Sequence, residues 1–492
     1  MSEDAIREFR IEKLQKLREL GKDPFLAERF AIDRSATDLI ANFEEGVKVS
    51  FAGRITSLRV MGKAAFGHLS DGGGKIQVYL RKDDLSESEW EAVALLDLGD
   101  HLGVTGELFV TKTGEKSIHA RSLTPLSKAL IPPPIGKEKD GQIFYGLTDV
   151  DQRYRHRHLD LIANPEARKT LLDRSRIVSA VRRYFDGQGY FEVETPILQV
   201  EAGGAHARPF LTHYNAYEME VKLRISLELY LKRIICGDVP KVYEIGRVFR
   251  NEGVSNRHNP EFTMLEFYEA YTDLEGMMTR VEELIHYVTQ EVFGTTQVGG
   301  CDFAEPWARV DLLSEIEVQC GIRPDELREL NLARAAMARV GLPVEKEHNL
   351  GGIIEKLLER FVEPTLQQPT FVVGYPIETS PLAKKDPNRP GITRRFEGYA
   401  FGRELCNAFS ELNDPIDQRE RFEQQLSERA KGDDEAHPMD EEFIFALETG
   451  MPPTGGCGIG IDRLVMLLTG SEHLREILLF PMMKPSARGI PE

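Results

Sequence analysis

The sequence predicts an α+β protein with a small β-barrel near the N-terminus and a larger mixed domain that follows it. Residues 47–128 read as a run of short alternating strands, which is typical of a barrel. Residues 244–271 read as an antiparallel hairpin with one apolar and one mixed face. The chain has neither a G-x-G-x-x-G motif nor a P-loop, so a dinucleotide-binding Rossmann fold is not expected.

The bulk composition is that of a soluble globular enzyme. The chain has 492 residues, 41% of them hydrophobic and 29% charged, which allows roughly two to four domains with a large core. No apolar run approaches the length of a membrane span, and the charged N-terminus lacks the apolar segment of a signal peptide. We therefore expect a cytoplasmic protein with no membrane partner.

Cysteine usage and net charge narrow the possible sites and partners. The five cysteines are scattered and form no C-x-x-C, so neither a disulfide framework nor a zinc site is expected. The formal net charge of −18 lowers the expectation of nonspecific nucleic-acid binding. Local basic stretches at 153–158 and 169–183 remain compatible with the docking of one RNA.

The order of predicted elements divides the chain into four parts. Residues 1–46 form an N-terminal helical extension, since apolar residues recur at helical spacing from 6 to 20. Residues 47–128 supply five strands with a helix between the third and fourth, which is the order of an OB-fold barrel. The Pro-rich residues 129–150 form a linker. Residues 151–492 form one large domain with a helical insertion at about 311–365.

The hairpin at 244–271 offers a ligand floor. Its first strand places Arg250 and Glu252 on one face, and a Gly/Ser/Asn-rich loop follows at 253–260. An Arg fork suits a phosphate or a carboxylate, and a flat Phe beside it suits a nucleobase. The alternative is an ordinary hairpin with paired charges. The residues of the second strand that share the polar face are Phe262, Met264, Glu266 and Tyr268.

Three glutamates spaced by seven, Glu397, Glu404 and Glu411, occur near the C-terminal quarter. Sevenfold spacing also fits one charged helix face, but the glycines and aromatic residues between them favour a hairpin that turns near Gly402. In a hairpin, Glu397 and Glu404 can meet and require a cation between them. Oxygen ligands with phosphate nearby favour Mg²⁺.

Two further stretches contain glycines at positions where a ligand could approach the backbone. Gly204 permits close approach, and Glu228 heads a predicted helix, where an exposed surface glutamate is the alternative reading. Residues 455–470 read as a Gly-rich strand-to-helix turn that can cradle phosphate, or that simply packs tightly, with Arg463 at the start of the helix.

These motifs, in this order, resemble those of the class II aminoacyl-tRNA synthetases. The helix at 165–189 with the strand GYFEVETPIL resembles motif 1, the dimer-forming motif. F-R-N-E followed by H-N-P-E-F-T resembles motif 2, and G-I-G-I-D-R resembles motif 3. The stretch G-R-E-L-C-N-A-F-S-E-L resembles the lysine-specific enzymes of bacterial type. The resemblance implies an antiparallel catalytic sheet flanked by helices and a homodimer.

The resemblance also implies an activity, the ATP-dependent ligation of L-lysine to tRNA(Lys) through a lysyl-adenylate, with Mg²⁺ at about three ions per site. The implied catalytic residues are Arg250 and Arg463. The implied ATP contacts are Arg250, Glu252, His258, Asn259, Phe262, Glu397 and Arg463. The implied lysine contacts are Gly204, Glu228, Arg250, Tyr268, Asn407 and Glu411, and the implied metal ligands are Glu397 and Glu404.

The barrel resembles the anticodon-binding domain of the lysyl, aspartyl and asparaginyl subgroup. Phe66 matches a ring that stacks on an anticodon base, while Gln77, Glu115 and Arg59 match neighbouring base contacts. Three alternatives stay open. They are an aspartyl or asparaginyl enzyme, a paralogue that transfers lysine to a protein, and a non-catalytic RNA-binding protein. A carboxylate at 411 favours a cationic substrate, because an uncharged isostere would leave it unpaired.

Overall fold

The computed structural model describes residues 2–139, 142–144, 146–253, 255–256, 258–304, 306–344, 349–430 and 437–485. It divides into two compact units, residues 1–168 (unit 1) and 169–492 (unit 2). The predicted domain boundaries stay a prediction. Positions 140, 141 and 145 of the predicted linker, 254 and 257 of the predicted loop, and 345–348 of the predicted insertion lie outside the described residues. No described helix is both long and apolar enough to cross a bilayer.

Unit 1 contains a closed five-stranded barrel in the order β1-β2-β3-β5-β4, with one helix between the third and fourth strands. This confirms the predicted OB-fold order. The strands are β1 (Lys48–Met61), β2 (Ala64–Ser70), β3 (Lys75–Arg81), β4 (His101–Val110), β5 (Lys116–Ser127), β6 (Lys137–Lys139) and β7 (Gln142–Phe144). The helices are α1 (Glu3–Glu19), α2 (Ala36–Ala41), α3 (Glu87–Val93), α4 (Val150–Arg155) and α5 (Arg157–Ala163).

The barrel interior follows from alternation along each strand, because successive side chains point to opposite faces. In β3, Ile76, Val78 and Leu80 are buried and the residues between them are not. A buried lysine near the end of β5 joins two carboxylates: Lys128 Nζ lies 2.5 Å from Asp97 Oδ2 and 2.7 Å from Asp100 Oδ2.

Unit 2 is built on an eight-stranded sheet in the order β16-β17-β18-β19-β20-β13-β12-β8. Its strand pairs are antiparallel except the two edge pairs, β8–β12 and β16–β17. The strands of this sheet are β8 (Phe191–Glu192), β12 (Lys241–Phe249), β13 (Glu261–Ala270), β16 (Ala308–Asp311), β17 (Thr370–Val373), β18 (Arg395–Ala400), β19 (Arg403–Ser410) and β20 (Thr454–Gly460). Two small sheets contain β9 (Leu198–Gln199), β10 (Leu211–Tyr214), β11 (Met219–Leu223), β14 (Gln297–Val298) and β15 (Cys301–Asp302).

Helices flank the large sheet, as predicted for the catalytic fold. They are α6 (Pro165–Gly187), α7 (Glu228–Cys236), α8 (Leu274–Phe293), α9 (Leu312–Cys320), α10 (Leu330–Arg339), α11 (Leu350–Leu357), α12 (Pro415–Ala430), α13 (Glu441–Glu448), α14 (Ile461–Thr469) and α15 (Leu474–Ile477). The main core joins α6, α8 and α14 to one face of the sheet through residues such as Phe185, Phe267 and Ile459. The helices α9, α10 and α11 lie between β16 and β17 in the chain, where the insertion was predicted.

Three local predictions differ from the structure. The first hairpin strand ends at Phe249, so Arg250 and Glu252 follow the strand instead of belonging to it. The segment GYFEVETPIL forms only the two-residue strand β8 before the chain leaves the sheet. The Gly-rich segment predicted as a strand-to-helix turn does lead from a strand into a helix, but its glycines lie within the central strand β20 itself. Both neighbouring strands supply hydrogen-bonding partners along its length.

Candidate active site

One cavity of about 1210 Å³ opens on the face of the sheet opposite the main core. It is lined from β13, β18, β19 and β20, from the starts of α7 and α14, and from the loop that follows β12. Most of the predicted site residues of unit 2 lie in its wall. These residues are Gly204, Glu228, Arg250, Glu252, His258, Asn259, Phe262, Tyr268, Glu397, Glu404, Asn407 and Arg463.

The cavity floor is the strand face predicted from alternation. Phe262, Met264, Glu266 and Tyr268 of β13 all line the cavity. Leu265, which alternates with them, belongs to the main core on the opposite side of the strand. A single strand therefore supplies a ring, a thioether, a carboxylate and a phenol to one surface.

Strand β20 lies beside β13 and contributes almost no side chains to that floor. Gly456 and Gly458 are paired with Tyr268 and Glu266 across the strands. A Cβ atom on Gly456 would overlap the Glu411 carboxylate and the Tyr268 ring. Position 456 therefore requires glycine for space, and the missing side chains leave room for a ligand over the centre of the sheet.

The cationic end of the cavity contains Arg250 and Arg463. The Arg250 guanidinium carbon lies 5.1 Å from the centre of the Phe262 ring, within the range of a cation–π contact. Burial lowers the pKa of Arg250, which remains cationic. Arg463 Nη1 donates to Glu404 Oε2 at 2.5 Å, and the charge of Glu404 raises the pKa of Arg463. Two planar cations beside an aromatic face suit a nucleotide.

The loop that follows β12 adds polar groups to this end. Asn259 Nδ2 donates to the carbonyl oxygen of Glu261 at 2.7 Å, which fixes the amide at the start of β13. His258 Nδ1 lies 2.8 Å from Ser255 Oγ. Glu252 lines the cavity nearby. These contacts hold the loop above the floor through its own side chains.

The predicted hairpin between Glu397 and Glu404 is confirmed, and the helical alternative is wrong. β18 and β19 are antiparallel, with Glu397 opposite Asn407 and Glu404 opposite Tyr399. In this register, Glu397 and Glu404 are not opposite each other across the two strands. Glu397 accepts from Arg395 at 2.5 Å, from Tyr375 at 2.7 Å and from Tyr399.

The metal assignment stays a prediction. Within the described ranges, no group of three or more His, Cys, Asp or Glu side chains is arranged to hold a metal ion. Mg²⁺ in nucleotide sites uses only one or two carboxylates together with substrate phosphates and water. Glu397 and Glu404 line the same cavity as the two arginines, so this donor set fits that kind of site.

Another part of the cavity is bordered by an acidic wall, defined here as the lining residues Glu228, Glu266 and Tyr268 together with Glu411 and Lys232 behind them. Glu228 is the first residue of α7 and is buried, so the reading of an exposed helix glutamate is wrong. Glu266 accepts hydrogen bonds from Tyr268 at 3.1 Å and from the Leu227 backbone amide at 3.0 Å.

A second side of the acidic wall is formed by Gly204. Its φ of +87° is one that side chains rarely adopt, and a Cβ atom there would lie 2.8 Å from Ser226 Oγ and 3.2 Å from Glu228 Cβ. Glycine is therefore required at 204 both for its backbone conformation and for space. This brings the backbone of Gly204 against Glu228, while the predicted approach of a ligand to Gly204 stays a prediction.

Glu411 lies behind the surface of this wall. It is almost completely buried, it is not among the residues that line the cavity, and it forms an ion pair with Lys232. The predicted contact between Glu411 and a ligand stays a prediction. The carboxylates that face the cavity directly are those of Glu228 and Glu266.

Burial dominates the titration of the acidic wall. Burial, with the like charge of Glu228, raises the pKa of Glu266 to about 7. Burial also raises the pKa of Glu411 to about 8, although the Lys232 ammonium opposes the rise. Burial and the neighbouring carboxylates raise the pKa of Tyr268 well above its ordinary value, so this phenol stays protonated and donates its hydrogen bond. A cationic ligand would relieve this accumulation of buried carboxylates.

Sequence reasoning gave no role to several residues of this site. Glu266 was placed on the floor by alternation but was assigned no ligand. Lys232 stands four residues after Glu228, a spacing that brings helix side chains together. Arg395 stands two residues before Glu397 on the same strand face. Both spacings were signals of these contacts.

The insertion also reaches the cavity, and the sequence carried no signal of it. Helix α11 and the residue before it contribute to the wall although the segment was predicted to have no chemistry. The contributing residues are Asn349, Gly352 and Glu355.

The predicted anticodon residues of unit 1 lie together on one face of the barrel. Phe66 stacks on Tyr79 with ring centres 4.7 Å apart and lies opposite Arg59 in the strand pair. Gln77 Nε2 donates to Glu115 Oε2 at 2.5 Å. His68, which the sequence did not indicate, has its Nε2 2.8 Å from Glu115 Oε1 and donates there, because a carboxylate only accepts.

Two protein families match this chain, one over most of unit 2 and one over the barrel of unit 1. Residues 149–484 match the family described as tRNA synthetases class II (D, K and N). Residues 49–126 match the family described as OB-fold nucleic acid binding domain.

Curated relatives match almost the whole chain. The chain is 49% identical over 490 residues to the lysine–tRNA ligase of Moorella thermoacetica. The match covers 98% of this chain and 99% of that protein. It is 49% identical to the lysine–tRNA ligase of Enterococcus faecalis and 48% identical to that of Bacillus subtilis. Each match covers 96% of both chains.

Gly456→Ala tests the space requirement at the cavity floor. The added methyl group would overlap Glu411 and Tyr268, so we expect the free energy of unfolding to fall by about 1–3 kcal/mol. Gly460→Ala is the matched control, since its Cβ would lie 3.7 Å from Arg463 in ordinary contact. Thermal unfolding of both variants is the measurement. Equal losses of stability would contradict the argument from space.

Proposed function

The chain belongs to the class II lysine–tRNA ligases, and from this premise we propose that the cavity of unit 2 joins L-lysine to tRNA(Lys) in an ATP-dependent reaction. The observation that carries the proposal is that a guanidinium–aromatic stack and a buried acidic wall occupy one cavity. The first suits ATP and the second suits an amino acid with a cationic side chain.

The first step is the activation of lysine. A carboxylate oxygen of lysine attacks the α-phosphorus of ATP, the bond to the bridging oxygen breaks, and pyrophosphate leaves with its electron pair. No protein nucleophile is required, so the protein contributes positioning and charge stabilisation. We assign Arg250 to the α-phosphate and the lysine carboxylate, and Arg463 to the γ-phosphate and the adenine. Phe262 stacks beneath the adenine.

The second step transfers the lysyl group to tRNA. A terminal ribose hydroxyl attacks the carbonyl carbon of the lysyl-adenylate, and AMP leaves with the electron pair of the broken acyl–oxygen bond. The hydroxyl proton passes to the phosphate of the departing AMP or to water. Glu252, His258 and Asn259 line the cavity near the cationic end, and we assign them to the adenine and the phosphates. Their contacts with the loop support a role in holding the nucleotide while the acyl group moves.

We assign Glu397 and Glu404 as the residues that would hold Mg²⁺. When bound, the ion would supply positive charge that neutralises the phosphates of ATP. Both carboxylates line the cavity with Arg250 and Arg463, which supports this role.

The acidic wall selects the amino acid. We assign Gly204 and Glu228 to the α-ammonium group, and Tyr268 and Glu411 to the ε-ammonium group, with Asn407 nearby. Glu266 joins this second set, because it faces the cavity beside Tyr268. An uncharged isostere of lysine would leave buried carboxylates unpaired at a cost of several kcal/mol.

The barrel of unit 1 is assigned to the anticodon. Phe66 supplies a face for base stacking, and Gln77, Glu115 and Arg59 supply groups for the base edges. Stacking and edge hydrogen bonds are how unpaired bases are read. The clustering of these residues on one barrel face supports the assignment. The cytoplasmic location expected from the N-terminal sequence stays a prediction.

ATP–pyrophosphate exchange across the twenty amino acids, without tRNA, tests the proposed function. We expect exchange with lysine and none of comparable rate with aspartate or asparagine. The carboxylates of the wall would repel the acidic side chain of aspartate and would stay without a cationic partner beside the neutral side chain of asparagine. Exchange with aspartate or asparagine would preserve the fold assignment and overturn the assignment of the acidic wall. Folded protein with Mg²⁺ and no exchange at all would favour a non-catalytic function.

Phe66→Ala tests the role of the barrel. We expect the KM for tRNA in the charging reaction to rise about tenfold or more, since one stacked base contributes about 1–3 kcal/mol. Lysine-dependent exchange without tRNA should keep its wild-type rate. Phe109→Ala is the matched control, because Phe109 is another aromatic ring beside Tyr79, with ring centres 5.8 Å apart, and no base contact is assigned to it. Loss of both activities in Phe66→Ala would contradict the division of labour between the units.

We also propose a homodimer that forms through the segment after α6. Exposed apolar side chains concentrate in this segment, and a surface of that kind is typical of protein–protein contacts. They are Phe191, Ile197, Leu198, Val200 and Leu211. Sedimentation of the purified chain should give twice the chain mass, and Leu198→Asp should shift it towards the monomer. A monomeric wild-type chain at micromolar concentration would contradict the proposal.

A further inference from the structure

The acidic wall contains a lysine that belongs to the protein itself. Lys232 of α7 is 0% exposed, and its Nζ donates to Glu228 Oε1 at 2.5 Å. The same ammonium group forms an ion pair with Glu411. Neither Lys232 nor Glu411 lines the cavity. Lys232 and Glu411 therefore form a second layer behind the residues that line the cavity. Lys232 contacts the lining residue Glu228.

The surroundings of Lys232 keep water away from this second layer. The rings of Phe409 and Phe443 each lie 5.9 Å from Nζ. His437 is also buried there, and burial lowers its pKa to about 4, so it is neutral and does not compete with Lys232 for the carboxylates. Burial opposes the charge of Lys232, but Glu228 and Glu411 outweigh it and raise its pKa. Lys232 is therefore a permanent cation.

The resident cation changes the net charge of the acidic wall. Glu228, Glu266 and Glu411 bring three negative charges when all are ionised, and Lys232 brings one positive charge. In that fully ionised state, the wall therefore carries two net negative charges. Free lysine has two ammonium groups, and its carboxylate is directed to Arg250 under the proposed function. The net charge of the wall equals the number of ammonium groups only if Lys232 is present. Without Lys232, the wall would have one more buried negative charge than the ligand can pair, and an unpaired buried charge is costly.

We propose that Lys232 is a positioning residue for amino-acid selection, which neutralises Glu411 and holds Glu228 so that the wall receives two ammonium groups and no fewer. The inference deepens the proposed function and rests on it. The titratable groups that interact with Lys232 are Glu228 and Cys236 from α7, Glu411 after β19, and His437 before α13. Glu266 and Tyr268 of β13 interact with Glu411 instead.

Removal of the cation has a predictable direction. In Lys232→Met, three buried carboxylates would repel one another without a resident cation, which raises their pKa values further. A raised carboxylate pKa means that the wall is ionised only at higher pH. Because lysine binds the ionised wall, the acidic limb of kcat/KM for lysine should move to higher pH, by about one unit or more.

A double-mutant cycle tests the proposal: wild type, Lys232→Met, Glu411→Gln and the double variant, measured by lysine-dependent ATP–pyrophosphate exchange from pH 6 to 9. The net charges of the wall are then −2, −3, −1 and −2. Each single variant should raise the KM for lysine about tenfold or more, with a much smaller effect on the KM for ATP. The double variant should recover about tenfold relative to the worse single variant, because its net charge is restored.

Lys128→Met is the matched control, since Lys128 is also a buried lysine between two carboxylates, but in the barrel. It should lower the unfolding temperature without moving the pH profile for lysine. If Lys232→Met does not fold, Glu411→Gln and the double variant still decide, because the double variant must then have the lower KM for lysine.

Additive effects in the cycle, or equal losses in the KM values for lysine and ATP, would overturn the role of Lys232 and leave it as a structural residue. An unmoved acidic limb in Lys232→Met would do the same. Failure of the proposed function is a separate result, since it requires a wild-type protein without lysine-dependent exchange. The two failures are therefore distinguishable in one set of assays.

Discussion

The cavity depends on a strand that has almost no side chains on one face. In the register of the sheet, Gly458 of β20 lies between Glu266 of β13 and Asn407 of β19, and Gly456 lies in the same way between Tyr268 and Phe409. Each row of three thus has functional side chains at its ends and an empty middle. Alanine or any larger residue in the middle would fill the space over the sheet with protein.

The other face of the same strands explains how such an open surface stays stable. Cys457 and Ile459 alternate with the glycines and belong to the main core, which packs α8 and α14 against the sheet. Apolar burial on that face holds the strands together through the hydrophobic effect. The cavity face can then hold charged groups at positions such as Glu266, because the main core packs on the other face of the strands.

Sequence reasoning found what is periodic and missed what is brought together from distant parts of the chain. Alternation along β13 identified the floor, since a strand places every second side chain on one surface. The hairpin of Glu397 and Glu404 followed from the glycine at its turn. The pairing of Lys232 with Glu411 could not be read, because it requires the relative position of α7 and the end of β19. The same limit hid α11, whose helical pattern carries no information about which cavity it borders.

A resident lysine in an amino-acid pocket could be taken as a site for an acidic substrate, and the structure argues against that reading. A cation selects an anion only when its charge is available, and the charge of Lys232 is shared by Glu228 and Glu411. An aspartate side chain in the cavity would face the carboxylates of Glu228 and Glu266, whereas Lys232 does not line the cavity. Like charges repel each other, and the repulsion is stronger between buried charges than between exposed ones. The sign of the pocket is therefore set by the balance of all ionised groups in its wall, and the identity of one residue does not determine it.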